Sequence, residues 1–161
     1  MVDQLVPTAE LFALHTRLFI NTIADLDDGA AVVRPNGRTN SIAFIGGHLV
    51  ETRAWMARLL GLDVPAPFGG ELEHETGIDK ILALPSVTAI REQWEDVSRL
   101  ILARLDDVTA DELAAPSGQR FPVVSGSMLG ALTFLMHHEA YHIGQLGYLR
   151  KFVGYPPMSY R

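Results

Sequence analysis

Apolar residues recur at intervals of three and four positions in four long segments of the chain, a spacing that predicts amphipathic helices. In the third segment, for example, Val87, Ile90 and Trp94 begin an apolar stripe that continues to Leu105. An alternating pattern typical of a strand has no useful length anywhere, except at residues 121–124. The four helical segments are residues 8–26, 41–60, 86–105 and 127–153.

Residues at the ends of these segments support the same boundaries. Thr8 and Ser86 are candidate N-caps, because their hydroxyl oxygens can accept a hydrogen bond from a free backbone N–H of the first turn. Gly61 and Gly154 are placed to end the second and fourth segments. Residues 109–112 have the spacing of a capping box, which predicts a brief helix before the fourth segment.

The connection between the second and third segments is unusually long. Residues 61–85 are rich in proline, glycine and acidic residues, and we interpret them as a crossover loop with room for one short helical turn. No internal repeat or linker divides the chain. We therefore predict an all-α fold, a single four-helix bundle domain over residues 1–161, with a long connection between helices 2 and 3.

Composition and charge narrow the classes of function. Of the 161 residues, 48% are hydrophobic and 20% charged, values that favour a soluble globular protein. The net charge is −6, and the 13 lysine and arginine residues are scattered, so we expect neither nucleic acid nor an anionic membrane surface as a partner.

The chain contains no cysteine, which excludes disulfides, thiolate metal ligands and a catalytic thiol within it. This composition fits a reducing compartment, and we expect a cytoplasmic protein. The early Asp3 and the absence of a basic start argue against a signal peptide. No apolar stretch reaches the roughly 18 residues that a membrane span requires.

Candidate metal chemistry lies in the fourth segment, where His138-Glu139-Ala140-Tyr141-His142 satisfies H-E-x-x-H, the zinc signature of many metalloproteases. His138 and His142 project from one helix face, close enough to share an ion. Two half-buried histidines with ordinary hydrogen bonds are the alternative. A protease would take its third ligand downstream, but the chain after His142 has no His, Asp or Glu. A peptidase is therefore the weakest of our hypotheses.

Only an upstream residue can complete the site, and His48 is the best candidate. It lies four residues after Phe44 and seven before Trp55, on the apolar, inward face of the second segment. A polar ring there needs a partner, which could be a metal shared with His138 and His142 or a backbone carbonyl. Three inward histidines on two helices favour the metal, because metal sites inside bundles are built in this way.

His48 within IGGHLVETRAW, followed about ninety residues later by HHEAYHIGQLGYLRK, resembles the DinB/YfiT-like superfamily. The resemblance implies an up-down-down-up bundle whose three histidines bind a divalent metal such as zinc or nickel. Those positions correspond here to His48, His138 and His142. It also implies a homodimer, and a chemistry that ranges from transfer or isomerisation with a low-molecular-weight thiol to hydrolysis.

Four other residues are candidates for a role near the metal. Glu139 would be the general base of a protease, but we favour a structural contact for it. Gln145 could orient a ligand or satisfy a backbone group, and Tyr141 could bind an anion or simply pack. Glu51 could orient an imidazole or act as a base, although a solvated or interhelical ion pair is the commoner arrangement.

For several further residues, we expect a structural or solvated position rather than a role at the metal. Arg53 and Arg150 could recognise an anionic substrate but are expected at the surface. Trp55, Trp94 and Phe134 are expected in the core. His74, among acidic neighbours in the long loop, is expected to be solvated.

We therefore expect a metal-dependent transferase or hydrolase that acts on a small molecule. Any thiol it uses must be a small molecule as well, because the chain has no cysteine. The alternative is a non-catalytic metal-binding or stress-response protein. A mean hydropathy of +0.15 is high for a small bundle and supports surface buried in a homodimer.

Overall fold

The computed structural model describes residues 1–72 and 77–160, and these residues form six α-helices and no strand. Short 3-10 turns lie at Asp3–Leu5 and Ile78–Lys80. The four long helices match the four predicted segments, so the all-α prediction is confirmed. The helices are α1 (Val6–Ile23), α2 (Asp28–Ala31), α3 (Ile42–Leu59), α4 (Val87–Asp107), α5 (Ala110–Ala114) and α6 (Met128–Phe152).

Local signals set most helix ends as the sequence predicts. The Ser86 hydroxyl accepts a hydrogen bond at the start of α4, and the serines before α3 and α6 do the same. Gly61 and Gly154 have φ angles of +83° and +90°, a left-handed conformation that ends α3 and α6 without steric cost. The prediction for Thr8 is wrong, because α1 begins at Val6 with a proline in its first turn.

The segments between helices α3, α4 and α6 agree only in part with the predictions. The capping box at Thr109 and Glu112 is present and starts α5. Residues 121–124 do not form a strand; the only pairing nearby is an isolated bridge between Pro116 and Ser127. His74 and the glutamates beside it lie outside the described residues.

Two apolar core clusters reveal the direction of each long helix. One cluster contains residues from the C-terminal halves of α1 and α6 and from the N-terminal halves of α3 and α4. The other contains the opposite halves of the same four helices. Helices α1 and α6 therefore run one way and α3 and α4 the other, which is the up-down-down-up arrangement.

This topology explains the long connection. Helices α3 and α4 are parallel neighbours, so the chain must return along a helix of 18 residues, about 27 Å, before α4 can begin. The same packing places α3 directly against α6, the two helices that carry the three candidate histidines. Within the described part of the chain, no helix combines the length and apolar character needed to cross a bilayer.

Candidate metal centre

Three imidazole rings meet where α3 packs against α6. His138 Nε2 lies 3.2 Å from His48 Nε2 and 3.1 Å from His142 Nε2. The three potential ligand atoms are all within 4.8 Å of one another. Among the described residues, no other group of three or more histidine, aspartate or glutamate side chains is close enough to share an ion. The structure thus brings together the three histidines that the sequence singles out.

Hydrogen bonds fix the tautomers of two of these rings. His48 Nδ1 donates to the carbonyl oxygen of Leu72 at 2.7 Å, and His142 Nδ1 donates to Gln145 Oε1 at 2.7 Å. With their protons on Nδ1, both neutral rings present the lone pair of Nε2 to the centre of the cluster. A proton on His138 Nε2 can be directed at only one of these lone pairs, whereas one cation would satisfy all three nitrogens.

The separations suit a shared ion. Two nitrogens bound at the usual zinc–imidazole length are about 2.8–3.0 Å apart at right angles and about 3.3–3.4 Å apart at tetrahedral angles. The observed 3.1 and 3.2 Å fall between these values. His138 Nδ1 is buried and has no hydrogen-bond partner in the described structure, so the polar contacts of this ring are all made through Nε2, at the centre of the cluster.

Burial keeps the imidazoles in the form that binds metal. It lowers the pKa of His138 from 6.5 to about 4, with further lowering by the charges of His142 and His48. Burial, followed by the charge of His48, likewise lowers the pKa of His142 to about 4. The pKa of His48 is lowered by burial too, although its bond to Leu72 opposes the shift. All three rings are therefore neutral at pH 7.

The backbone of Leu72, which orients His48, is itself held in place. An atom added as Cβ on Gly47 would lie 2.5 Å from Leu72 Cδ1, so the Leu72 side chain would have to shift if position 47 were not glycine. The Leu72 side chain is 2% exposed. The long connection thus contributes a fixed carbonyl group to the candidate metal centre.

Glu51 forms hydrogen bonds to the same connection between α3 and α4, a few residues before Leu72. Its side chain is completely buried, and Oε1 accepts hydrogen bonds from the backbone N–H groups of Phe68 at 2.7 Å and Gly70 at 3.0 Å. The expected solvated or interhelical ion pair is therefore wrong. Glu51 supports His48 indirectly, through the loop that ends at Leu72.

Gln145 and Tyr141 extend the contacts of His142 toward the surface. Gln145 accepts from His142 through Oε1 and donates from Nε2 to the Tyr141 hydroxyl at 3.0 Å. Tyr141 is 60% exposed, so it is not packed in the core. Of the two interpretations of Gln145, its contacts support the orientation of a histidine ring.

Glu139 points away from the three imidazoles into a buried ion pair with Arg53. Arg53 Nε and Nη2 donate to the two carboxylate oxygens at 2.7 and 2.8 Å, and His15 Nδ1 lies 3.4 Å from Oε2. Burial alone would raise the pKa of Glu139, but the charge and hydrogen bonds of Arg53 outweigh it and keep the pKa below its usual value. These contacts support the structural role favoured for Glu139.

Both arginines expected at the surface are buried, so that expectation is wrong. The Arg53 guanidinium lies between the rings of Phe12 and Trp94, at 3.9 and 3.5 Å from their centroids. Arg150 is 5% exposed and donates from Nε to the carbonyl oxygen of Pro156 at 2.7 Å. Neither residue is free to meet a substrate.

A cleft of about 640 Å³ opens beside His48 and His138. Trp55 and Phe134, expected in the core, are only partly buried and line it, because the segment between α5 and α6 does not cover them completely. That segment contributes Phe121 to the same lining. The metal candidate is thus accessible from a space large enough for a small organic molecule.

Sequence reasoning missed three contributors to this centre: the Leu72 carbonyl, Phe121 and Arg120, which also lines the cleft. The one available signal was an arginine next to a phenylalanine in the loop before α6. It could not be interpreted, because nothing local relates residues 120 and 121 to a histidine on α3.

Comparisons with known proteins agree with the fold. The DinB superfamily model matches residues 11–146, a range that includes all three histidines. A crystal structure of a conserved protein from Enterococcus faecalis covers 95% of this chain and 98% of its own, with a TM-score of 0.63 and 15% identity. At that identity the likeness supports the fold alone. No curated protein sequence matches the chain.

Proposed function

The chain belongs to the DinB superfamily, and from this premise we propose that it is a metal-dependent enzyme, a transferase or hydrolase that acts on a small molecule. His48, His138 and His142 would hold one divalent ion, with zinc and nickel the foremost candidates. The observation that carries the proposal is the convergence of three Nε2 atoms, two of them with their lone pairs fixed inward.

The proposed centre leaves room for chemistry. Three imidazoles provide three ligands, and no further histidine or carboxylate of the described residues belongs to this group, so this part of the chain would leave coordination positions open. A divalent ion there would lower the pKa of a water or a thiol that reaches it. Since the chain has no cysteine, such a thiol would be a low-molecular-weight cosubstrate.

The chain's own groups would position these partners. Leu72 and Gln145 hold two rings in the required tautomer, and the cleft beside His48 and His138 admits the substrate. A peptidase finds less support, because the glutamate of its signature is bound to Arg53 and does not line the cleft.

Elemental analysis of purified protein tests the metal. We expect about one divalent ion per chain in the parent and a clear loss of bound metal in His48→Ala and His138→Ala, because each variant lacks one of the three proposed ligands. His137→Ala is the matched control, because His137 is the exposed neighbour of His138 and should retain the ion. Equal metal content in all four proteins would remove the three-histidine site.

Activity assays on the metal-loaded protein test catalysis. Transfer of a low-molecular-weight thiol to a chromogenic electrophile and hydrolysis of nitrophenyl esters are the two reactions to screen. Turnover that disappears with His48→Ala and survives in His137→Ala would support an enzyme. Bound metal without turnover in a broad screen would favour the non-catalytic, stress-response alternative.

We also propose that the protein works as a cytoplasmic homodimer. Three aromatic side chains on α6 are exposed in the single chain: Tyr141, Tyr148 and Phe152, at 60, 68 and 49%. Such a surface favours burial against a second copy. Light scattering after size exclusion gives the mass directly, and a monomer at micromolar concentration would contradict the dimer.

A further inference from the structure

Three aromatic rings form a continuous row along the cleft that leads to the candidate metal centre. The ring centroids of Trp55 and Phe121 are 5.5 Å apart, and those of Phe121 and Phe134 are also 5.5 Å apart. Phe134 in turn lies 6.4 Å from the ring of His138. We call Trp55, Phe121 and Phe134 the aromatic wall.

The aromatic wall is a surface that a ligand can use. All three rings are only partly buried, and all three line the cleft of about 640 Å³. Because aromatic faces prefer ring neighbours at 4.5–7 Å, a planar group placed on the wall gains more than an aliphatic group of equal size. The wall ends at His138, so a bound planar group would lie next to the reacting position.

The charge of the cleft indicates a second property of the ligand, which is a negative charge. Among the described residues, none that lines the cleft carries a carboxylate. The exposed Arg120 does line the cleft, and its guanidinium is positively charged. The nearby Glu139 is neutralised by Arg53, and the three histidines are uncharged ligands that leave the charge of a divalent ion uncompensated. Both sources of positive charge attract an anion.

We propose that the substrate of this site is an organic anion with a planar, unsaturated group, bound with that group on the aromatic wall and its charge attracted by Arg120 and the metal. This inference rests on the proposed function for the location of the site, but the wall and Arg120 belong to the protein alone. It names the class of small molecule that the metal-dependent reaction would use.

Three probes with the same bicyclic carbon skeleton separate the two features. Naphthalene-2-carboxylate is planar and anionic, decalin-2-carboxylate keeps the charge without the aromatic rings, and naphthalene-2-carboxamide keeps the rings without the charge. Titration calorimetry on the zinc-loaded protein measures each affinity. We expect the naphthoate to bind about three- to tenfold more tightly than the decalin acid, and at least about tenfold more tightly than the amide.

Variants then assign each preference to its residue. Phe121→Leu keeps the apolar volume without the ring, so the preference for naphthoate over the decalin acid should fall to less than about twofold. Arg120→Gln should weaken both acids equally, by about three- to tenfold, and leave the amide unchanged. Val123→Ala, in the same loop but outside the cleft, is the control and should bind as the parent does.

The outcomes distinguish this inference from the proposed function. Equal binding of naphthoate and decalin acid, or an unchanged preference in Phe121→Leu, overturns the aromatic wall. Equal binding of acid and amide, or no effect of Arg120→Gln, overturns the selection of an anion. A parent protein that binds no metal refutes the proposed function, while the preference for naphthoate over the decalin acid still tests the wall in the metal-free protein.

Discussion

Replacing Glu139 by glutamine removes one charge from a completely enclosed ion pair and changes almost nothing else in shape. Arg53 and Glu139 are 0 and 1% exposed, so water cannot replace the lost carboxylate. Removing one partner of such a pair typically costs about 3–5 kcal/mol, since the other charge stays buried. We expect about 3 kcal/mol for Glu139→Gln, because the amide oxygen can still accept one of the two hydrogen bonds from Arg53.

Urea or thermal unfolding followed by circular dichroism measures this loss. For a chain of this size, about 3 kcal/mol lowers the unfolding midpoint by roughly 6–12 °C. Glu95→Gln on the exposed side of α4 is the control and should change the free energy of unfolding by less than about 0.5 kcal/mol. Metal content at 20 °C should not change in either variant, because Glu139 is not among the three proposed ligands.

A double variant sharpens the test. Arg53→Met with Glu139→Leu removes both charges and fills the space with apolar side chains, so it should be more stable than Glu139→Gln alone. A single variant within about 1 kcal/mol of the parent would show that the pair does not stabilise the bundle. A double variant less stable than the single one would show that the contacts of Arg53 with Thr16 and the two aromatic rings matter more than its charge.

Three more predictions concern the histidines. Gln145→Leu should weaken metal binding by about 10–100-fold in a chelator competition, because His142 loses the acceptor that fixes its tautomer; unchanged affinity would contradict that role. Gly47→Ala should displace Leu72 and weaken metal binding as well, whereas Gly144→Ala, where a Cβ meets no neighbour within 4 Å, should not. The metal-free protein should lose stability as the pH falls from 6.5 to about 4: the unfolded chain takes up protons in that window, whereas burial keeps His138 and His142 neutral in the folded one. Urea unfolding in chelator should therefore show a loss that is much smaller in His138→Gln with His142→Gln.

Local signals in the sequence were sufficient for the helices. Apolar spacing, the Ser86 cap, the capping box and the glycines that end α3 and α6 each involve only residues near one another in the chain, so they can be recognised without knowing any tertiary contact. The failures are also local in origin. Thr8 had the right chemistry for a cap, but a proline one position earlier already serves in the first turn of α1.

The three histidines were predictable for a different reason. An imidazole on an apolar helix face needs a partner, and His48, His138 and His142 are polar positions within apolar stripes of two different helices. Their periodicity shows that each ring points inward. Their chain positions alone, however, do not bring α3 against α6; only the packed bundle does.

Only the tertiary structure determined which groups surround those rings. Glu139 accepts from a guanidinium 86 positions away, His48 donates to a carbonyl 24 positions away, and the aromatic wall joins α3, α6 and the loop before α6. A buried charge or polar group must find its partner wherever the fold provides one, and that choice depends on distances between helices rather than on spacing along the chain. The sequence by itself therefore determined the helices and the inward direction of the three histidines. The packing of the bundle determined which carboxylates and arginines are buried away from a substrate. It also determined which loop residues remain accessible in the cleft.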